Sequence, residues 1–296
     1  MTSLARIDTR EILERLGYDY YSYVEPPAKP ELAELTFDDL IPRLPDLSGR
    51  KLYRHQVEAL EALNSGRNVI LKSGTGSGKT EAWLLYALEN RIPTLAVYPT
   101  LALANDQIRR IQSYSQVVGS DVEVIDALRR DQLLKVQGRT KLRASLSVKE
   151  IIVTNPAFLL HEVKKMAVSP RGSLLDGFLH NVKLIVLDEI DFYGPREIAL
   201  LLALIDILSK LLEPNFQLAA LTATIENPEE LAEFFTMVNG RETSIIVGPP
   251  FRVENRVYIV LGRNLQSLWR QLREQRDSFL KAGVGEDVAK ALDDFT

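Results

Sequence analysis

The chain has 296 residues, 46% of them hydrophobic and 26% charged, enough to bury a full core and close to an ordinary globular composition, which excludes a disordered or fibrous protein. Its formal charge of −4 excludes a wholly basic nucleic-acid coat but not a single local strand-binding groove. With no cysteine there are no disulfides, thiol nucleophiles or thiolate zinc sites.

Met1 to Asp8 lacks the apolar core of a signal peptide, and no apolar run reaches membrane-spanning length, so the expectation is a cytoplasmic protein with no membrane partner. Ile7, Ile12, Leu13 and Leu16 fall at helical spacing before Gly17 and predict a short amphipathic helix over 8–16. Tyr20 to Tyr23, followed by Pro26, Pro27 and Pro30, reads as an extended linker. Residues 1–35 are therefore expected to form a separate N-terminal segment, and the main domain to occupy 36–250.

Within that domain apolar runs alternate with helical patterns. The runs are Asn68 to Leu71, Thr94 to Tyr98, Val122 to Ile125, Ile151 to Thr154, Val182 to Leu187, Leu218 to Thr222 and Ser244 to Val247. Most are continuously apolar, as strands covered on both faces must be, and this predicts an α/β fold with a mainly parallel, doubly wound sheet. After Gly248-Pro249-Pro250, Arg256 to Leu261 reads as one more strand. Leu265, Leu268, Trp269, Leu272 and Phe279 then mark a helical stripe over 264–282, so 251–296 is expected to be a strand and helical extension.

Ser73 and the run Gly74-Thr75-Gly76-Ser77-Gly78-Lys79-Thr80 match a glycine-rich phosphate loop, in which backbone N–H groups surround phosphates and the lysine reaches the terminal ones. The flanks agree: Val69-Ile70-Leu71 supplies the strand before it, and Glu81 to Leu88 the helix whose N-terminus favours anions. Such a loop works with a carboxylate that holds Mg2+ at the end of another strand of the same sheet. Asp188-Glu189-Ile190-Asp191 follows the apolar strand ending at Leu187, so Asp188 together with Thr80 is the candidate metal-holding pair, and Glu189 is the candidate proton acceptor from an attacking water.

These motifs, with Thr222-Ala223-Thr224 after a later strand, resemble in type and order the superfamily 2 (DExD/H) helicases, and the resemblance covers about Lys51 to Thr236. It implies that the domain is the RecA-like ATP-binding half of a nucleic-acid motor, with Lys79, Asp188 and Glu189 catalytic. Gln56 stands where that family reads adenine, which implies ATP over GTP. Phe37 could stack on the base or belong to the core. Asp191, Thr222 and Thr224 stand where the family couples nucleotide state to domain movement. Pro99, Thr100 and Gln107 match one strand-contacting motif, and Thr154 and Asn155 match the next. Arg109, Arg110, Arg129 and Arg130 could extend that groove, although paired arginines on helices more often face solvent. His55, His161 and His180 lack metal-ligand spacing.

Asp-Glu-Ile-Asp and Thr154-Asn155-Pro156-Ala157 depart from the DEAD-box RNA helicases. Ala102 to Gln107 and Asn227-Pro228 look closer to superkiller-like DExH helicases, which favours single-stranded or duplex DNA over RNA as partner. The family completes its active site with arginines from a second RecA-like domain. No second α/β series follows Gly248, so the chain is expected to need that domain as a partner and to turn over little ATP alone. The alternatives are an RNA helicase and a non-hydrolysing, nucleotide-gated clamp.

Overall fold

A computed structural model describes residues 9–29, 31–74, 76–102, 104–169, 172–212, 215–249, 254–261 and 265–281. The strands, in chain order, are β1 (Tyr20–Glu25), β2 (Leu32–Thr36), β3 (Lys51–Tyr53), β4 (Asn68–Lys72), β5 (Thr94–Val97), β6 (Val122–Val124), β7 (Ile151–Thr154), β8 (Leu184–Leu187), β9 (Gln217–Thr222), β10 (Thr243–Val247) and β11 (Asn255–Val260). Between them run α1 (Thr9–Arg15), α2 (Phe37–Leu40), α3 (Arg54–Asn64), α4 (Lys79–Glu89), α5 (Asn105–Val118), α6 (Ala127–Ser147), α7 (Pro156–Val168), α8 (Asp176–Leu179), α9 (Pro195–Leu212) and α10 (Pro228–Asn239), with α11 (Leu265–Lys281) last.

The larger of two compact units spans Ala28–Phe251. Its sheet has seven strands in the order β10-β4-β9-β8-β5-β7-β6, every neighbouring pair parallel. Continuous apolar runs follow from this geometry, because successive side chains point to opposite faces and both faces are covered. Val69 and Leu71 join the layer containing Leu60, Trp83 and Ile111. Ile70, between them, joins the opposite layer with Phe158, Leu204 and Phe235. Phe37 is 4% exposed within the first layer, so of the two roles open to it the structure shows core packing.

The main unit also includes the β2–β3 antiparallel pair, with Leu32 opposite Tyr53 and Thr36 opposite Lys51, so the expected boundary at Thr36 falls inside a strand pairing. The described parts of 1–27 and 252–296 form the other unit. Its ladder pairs β1 with β11 antiparallel from Tyr20↔Val260 to Glu25↔Asn255. The tyrosine-rich stretch expected as a linker is therefore a strand. Tyr20 meets Tyr258 edge-on at 5.5 Å, and the Tyr18 hydroxyl lies 2.9 Å from Ser267 Oγ. Local sequence hides this because the partner strand lies beyond the whole α/β series, and only pairing distinguishes a strand from an extended linker.

Asn68 opens β4 and is fully buried. Its Oδ1 accepts from Leu218 N–H at 2.9 Å and from Asn239 Nδ2 at 2.7 Å, while its Nδ2 donates to Arg241 O at 3.2 Å. One amide thus ties β4, β9 and α10 at the end of the sheet remote from the phosphate loop. Asn68→Ala is expected to destabilise the fold by about 2–4 kcal/mol, because the Leu218 N–H and the Asn239 amide would both lose their buried partner. Denaturant unfolding followed by circular dichroism checks this.

Candidate functional site

In an all-parallel sheet the loops after every strand emerge at one edge, where ligands of open α/β folds gather. The adjacency of β4, β9 and β8 brings together the loops after Lys72, Thr222 and Leu187. Continuing outward, β5 and β7 place the loops after Val97 and Thr154 along the same edge.

The phosphate loop turns on Gly76 (φ 75°) and Gly78 (φ 74°), both in the left-handed region, where a side chain is strained. At Gly78 there is also no room: a Cβ would stand 2.3 Å from Gln56 Nε2. Lys79 is 6% exposed, and its ammonium donates to Ser73 O at 3.0 Å and Gly74 O at 3.3 Å, within the loop itself. The Ser73 and Ser77 hydroxyls are buried with no hydrogen-bond partner among the described residues. Thr75 lies outside the described residues.

Gln56 and His55 brace this loop from α3. Gln56 is 1% exposed; its Oε1 accepts from Tyr53 N–H at 2.8 Å, and its Nε2 donates to Gly78 O at 2.8 Å. By valence, each end of the amide can make one further hydrogen bond. His55 Nε2 lies 2.9 Å from Ser77 O, and burial lowers the imidazole pKa, so it is the neutral ring that holds the carbonyl. Neither His55 nor the other histidines form a metal cluster among the described residues.

Asp188 follows β8 and is 1% exposed. Its Oδ2 accepts from the Thr80 hydroxyl at 3.2 Å, and its Oδ1 from Glu189 N–H at 2.9 Å. Burial raises its pKa; the Tyr98 hydroxyl, Glu189 N–H, Lys79 and Thr80 oppose that rise. Tyr98, fully buried at the end of β5, is itself pushed well up by burial and by Asp188. Glu189 has φ 55° and ψ 48°, a left-handed conformation that costs a non-glycine residue about 1–3 kcal/mol and persists only where its surroundings hold it. Burial and the neighbouring Asp188 raise its carboxyl pKa, the direction a proton acceptor requires. The buried Asp188 carboxylate and the Thr80 hydroxyl are oxygen donors that fit Mg2+, and the Lys79 ammonium beside them fits the phosphate it would be bound with.

Thr222, fully buried at the end of β9, donates to Asp191 Oδ1 at 2.9 Å, and Ala223 N–H reaches the same oxygen at 3.0 Å. Thr224 N–H donates to Thr222 Oγ1 at 3.1 Å. The structure therefore brings Asp191, Thr222 and Thr224 into one hydrogen-bonded unit. Lys72 adds to it by donating to Ile225 O at 2.7 Å, joining the strand before the phosphate loop to the segment after Thr224.

The expected strand-contacting residues divide. Thr100 is exposed and Pro99 and Gln107 partly so, at the loop after β5 and the start of α5. Thr154, by contrast, is fully buried and donates its hydroxyl to Ile125 O at 2.7 Å, so that hydroxyl holds the sheet and is not offered to a phosphate. Asn155 caps α7, accepting from Phe158 N–H at 2.9 Å, and Pro156 takes the first helical position. Of the four arginines, Arg109, Arg129 and Arg130 pair with Asp106, Glu123 and Asp131, all near them in sequence, whereas Arg110 pairs with buried Glu81 of α4. Sequence reasoning missed Tyr98 and Glu81, whose roles depend on neighbours from other elements.

The DEAD/DEAH box helicase family model matches residues 53–231, and the chain belongs to that family. An ATP-dependent helicase of Methanocaldococcus jannaschii is 28% identical over 84% of this chain and 37% of its own length. The ATP-dependent DNA helicase Hel308 of Thermoplasma acidophilum is 24% identical over 69% of this chain and 28% of its own. Among solved structures, the DUF1998 helicase MrfA bound to DNA and AMPPNP superposes with a TM-score of 0.64 at 21% identity, covering 93% of this chain and 39% of that one. A DEAD box protein from the hyperthermophile Methanococcus jannaschii has a TM-score of 0.53 at 20% identity, over 74% of this chain and 56% of that one. These likenesses show the RecA-like fold. The chain spans little more than a third of its M. jannaschii relative.

A carboxyl with a raised folded pKa binds its proton more readily folded than unfolded, so its ionisation as pH rises through the folded pKa costs stability. Asp188 is in that position. Asp188→Asn is therefore expected to raise the unfolding midpoint of the ligand-free protein at neutral pH while weakening Mg2+-dependent nucleotide binding. Thermal unfolding at pH 7.5 in EDTA, beside nucleotide titrations with and without Mg2+, checks both signs.

Proposed function

We propose that this chain is the first motor domain of an ATP-dependent DNA helicase or translocase. The observation that carries this reading is the meeting of Lys79, Thr80, Asp188 and Glu189 at one edge of a parallel sheet, with the Thr222–Asp191 bond adjoining them. The loop N–H groups and Lys79 hold the phosphates of ATP, and Gln56 offers its remaining N–H and lone pair to adenine. Thr80 and Asp188 hold Mg2+, which when bound neutralises charge on the phosphates. Glu189 orients the attacking water and takes its proton. Asp191, bound to Thr222 and Ala223, links the nucleotide side of the cleft to the segment around Thr224 and so to the relative movement of two domains.

Transition-state arginines in phosphoryl transfer are worth ~10³ to 10⁵ in rate, and we assign them to a second RecA-like domain. DNA is preferred over RNA as the strand because relatives with this domain include the DNA helicase Hel308, and MrfA has been crystallised on DNA. The strand runs past Pro99, Thr100 and Gln107 toward the backbone at Thr154 and Asn155, whose side chains serve the sheet and α7. RNA binding and a nucleotide-gated clamp remain as outcomes of the test.

Lys79→Ala is expected to lower ATP affinity by roughly tenfold or more, the effect of losing a charged hydrogen-bond donor to phosphate. Glu189→Gln is expected to leave nucleotide affinity within about twofold while slowing turnover by ~10² or more once a second RecA-like domain is supplied. Isothermal titration with ATP and GTP, and phosphate release with single-stranded DNA, duplex DNA and RNA in parallel, measure these effects. ATP binding unchanged by Lys79→Ala would overturn the reading.

A further inference from the structure

Glu81 is the third residue of α4, in the turn that begins with Lys79 and Thr80. Its side chain is 6% exposed, and its Oε2 would lie 3.4 Å from a Cβ on Gly78, so the carboxylate rests against the phosphate loop. A negative charge there opposes a polyanionic ligand, and a buried carboxylate of any kind needs a partner. That partner is Arg110, whose Nη1 donates to Glu81 Oε1 at 2.6 Å from a side chain that is 43% exposed. Glu81 Oε2 has no hydrogen-bond partner among the described residues. One turn further along α5, buried Tyr114 lies in the same field, its hydroxyl pKa raised by burial and then by Glu81.

Arg110 stands in the second turn of α5, which begins at Asn105 directly after the loop that carries Pro99 and Thr100. In that helix's first turn, Gln107 Oε1 is also buried without a partner among the described residues. A single ion pair therefore joins the first turn of the phosphate helix to the helix that carries the loop after β5.

We propose that Glu81 and Arg110 are positioning residues through which the phosphate loop and the loop after β5 sense each other, so that nucleotide and nucleic-acid strand alter one another's affinity. The proposal rests on the nucleotide and strand binding proposed above. A triphosphate entering beside Gly78 adds negative charge next to Glu81 and increases the carboxylate's demand for Arg110. Because the pair already stands at 2.6 Å, a shift of the first turn of α4 is passed through it to the second turn of α5, and the loop after β5 moves with that helix. Neither residue is assigned a contact with either ligand, and the coupling is reciprocal.

The test uses the whole 296-residue chain. A labelled single-stranded oligodeoxythymidylate is titrated with and without a non-hydrolysable ATP analogue and Mg2+, and a fluorescent nucleotide with and without the oligonucleotide. Both ratios are expected to be roughly fivefold or more in the wild type. Arg110→Ala and Glu81→Gln bring them to about one, and Arg110→Lys, which can keep the single contact, retains most of the effect. Thermal unfolding separates coupling from support of the fold. Arg110→Ala lowers the midpoint by leaving a buried carboxylate unpaired. The double variant Glu81→Gln/Arg110→Gln recovers the midpoint while its ratios stay at about one. Single variants that keep the wild-type ratios overturn the proposal, as does a double variant that regains them with its stability. A wild type that binds both ligands independently overturns it while leaving the nucleotide-binding reading intact. A wild type that binds no nucleotide overturns both.

Discussion

A carboxylate must be held in a buried position at the end of β8, and the rest of the site is arranged around that constraint. Asp188 is buried at the end of β8 and raised in pKa by that burial. Its counterweights come from separate elements: Tyr98 from the end of β5, Lys79 and Thr80 from the first turn of α4, and the N–H of Glu189. A parallel sheet in which β8 lies beside β5, with only β9 between it and β4, is what allows these groups to meet without long loops. The left-handed backbone at Glu189 belongs to the same arrangement, since it turns the chain sharply after Asp188 and lets its own N–H satisfy one carboxylate oxygen.

The phosphate loop is held in an equally constrained way. Its two left-handed glycines let the backbone fold tightly, but a flexible loop would lose entropy on every binding event. The α3 side chains limit that loss, with Gln56 and His55 fixing the carbonyls of Gly78 and Ser77. The Glu81 carboxylate, paired with Arg110, also rests against Gly78 of the loop. The loop is thus positioned by buried polar side chains, each carrying the desolvation cost that such groups incur when a partner is lost.

Burial also separates residues that look alike in a motif. Thr222 and Thr154 both end apolar strands and both are fully buried. The Thr222 hydroxyl reaches the Asp191 carboxylate, which joins two motifs, whereas that of Thr154 reaches a main-chain carbonyl of the sheet. The difference lies in which loop stands opposite, a property of strand order and not of the residue or its neighbours in the chain.

By itself the sequence determined what is local or periodic. The glycine spacing of the phosphate loop, the acidic run after Leu187, the Thr222-Ala223-Thr224 triplet and the unbroken apolar strands are each contained in a few consecutive residues, and their chemistry is set by residue type. The seven-stranded sheet, the position of the site at one edge and the family were legible on that basis. Only the tertiary structure decided what depends on distant partners. These are the Asn68 amide that ties three elements, the pairing of Arg110 with Glu81 of another helix, and the pairing of β1 with β11 across the length of the chain. In each case the deciding interaction is a hydrogen bond, an ion pair or a strand pairing between segments far apart in sequence, and no local pattern of residues encodes which of the possible partners will be met.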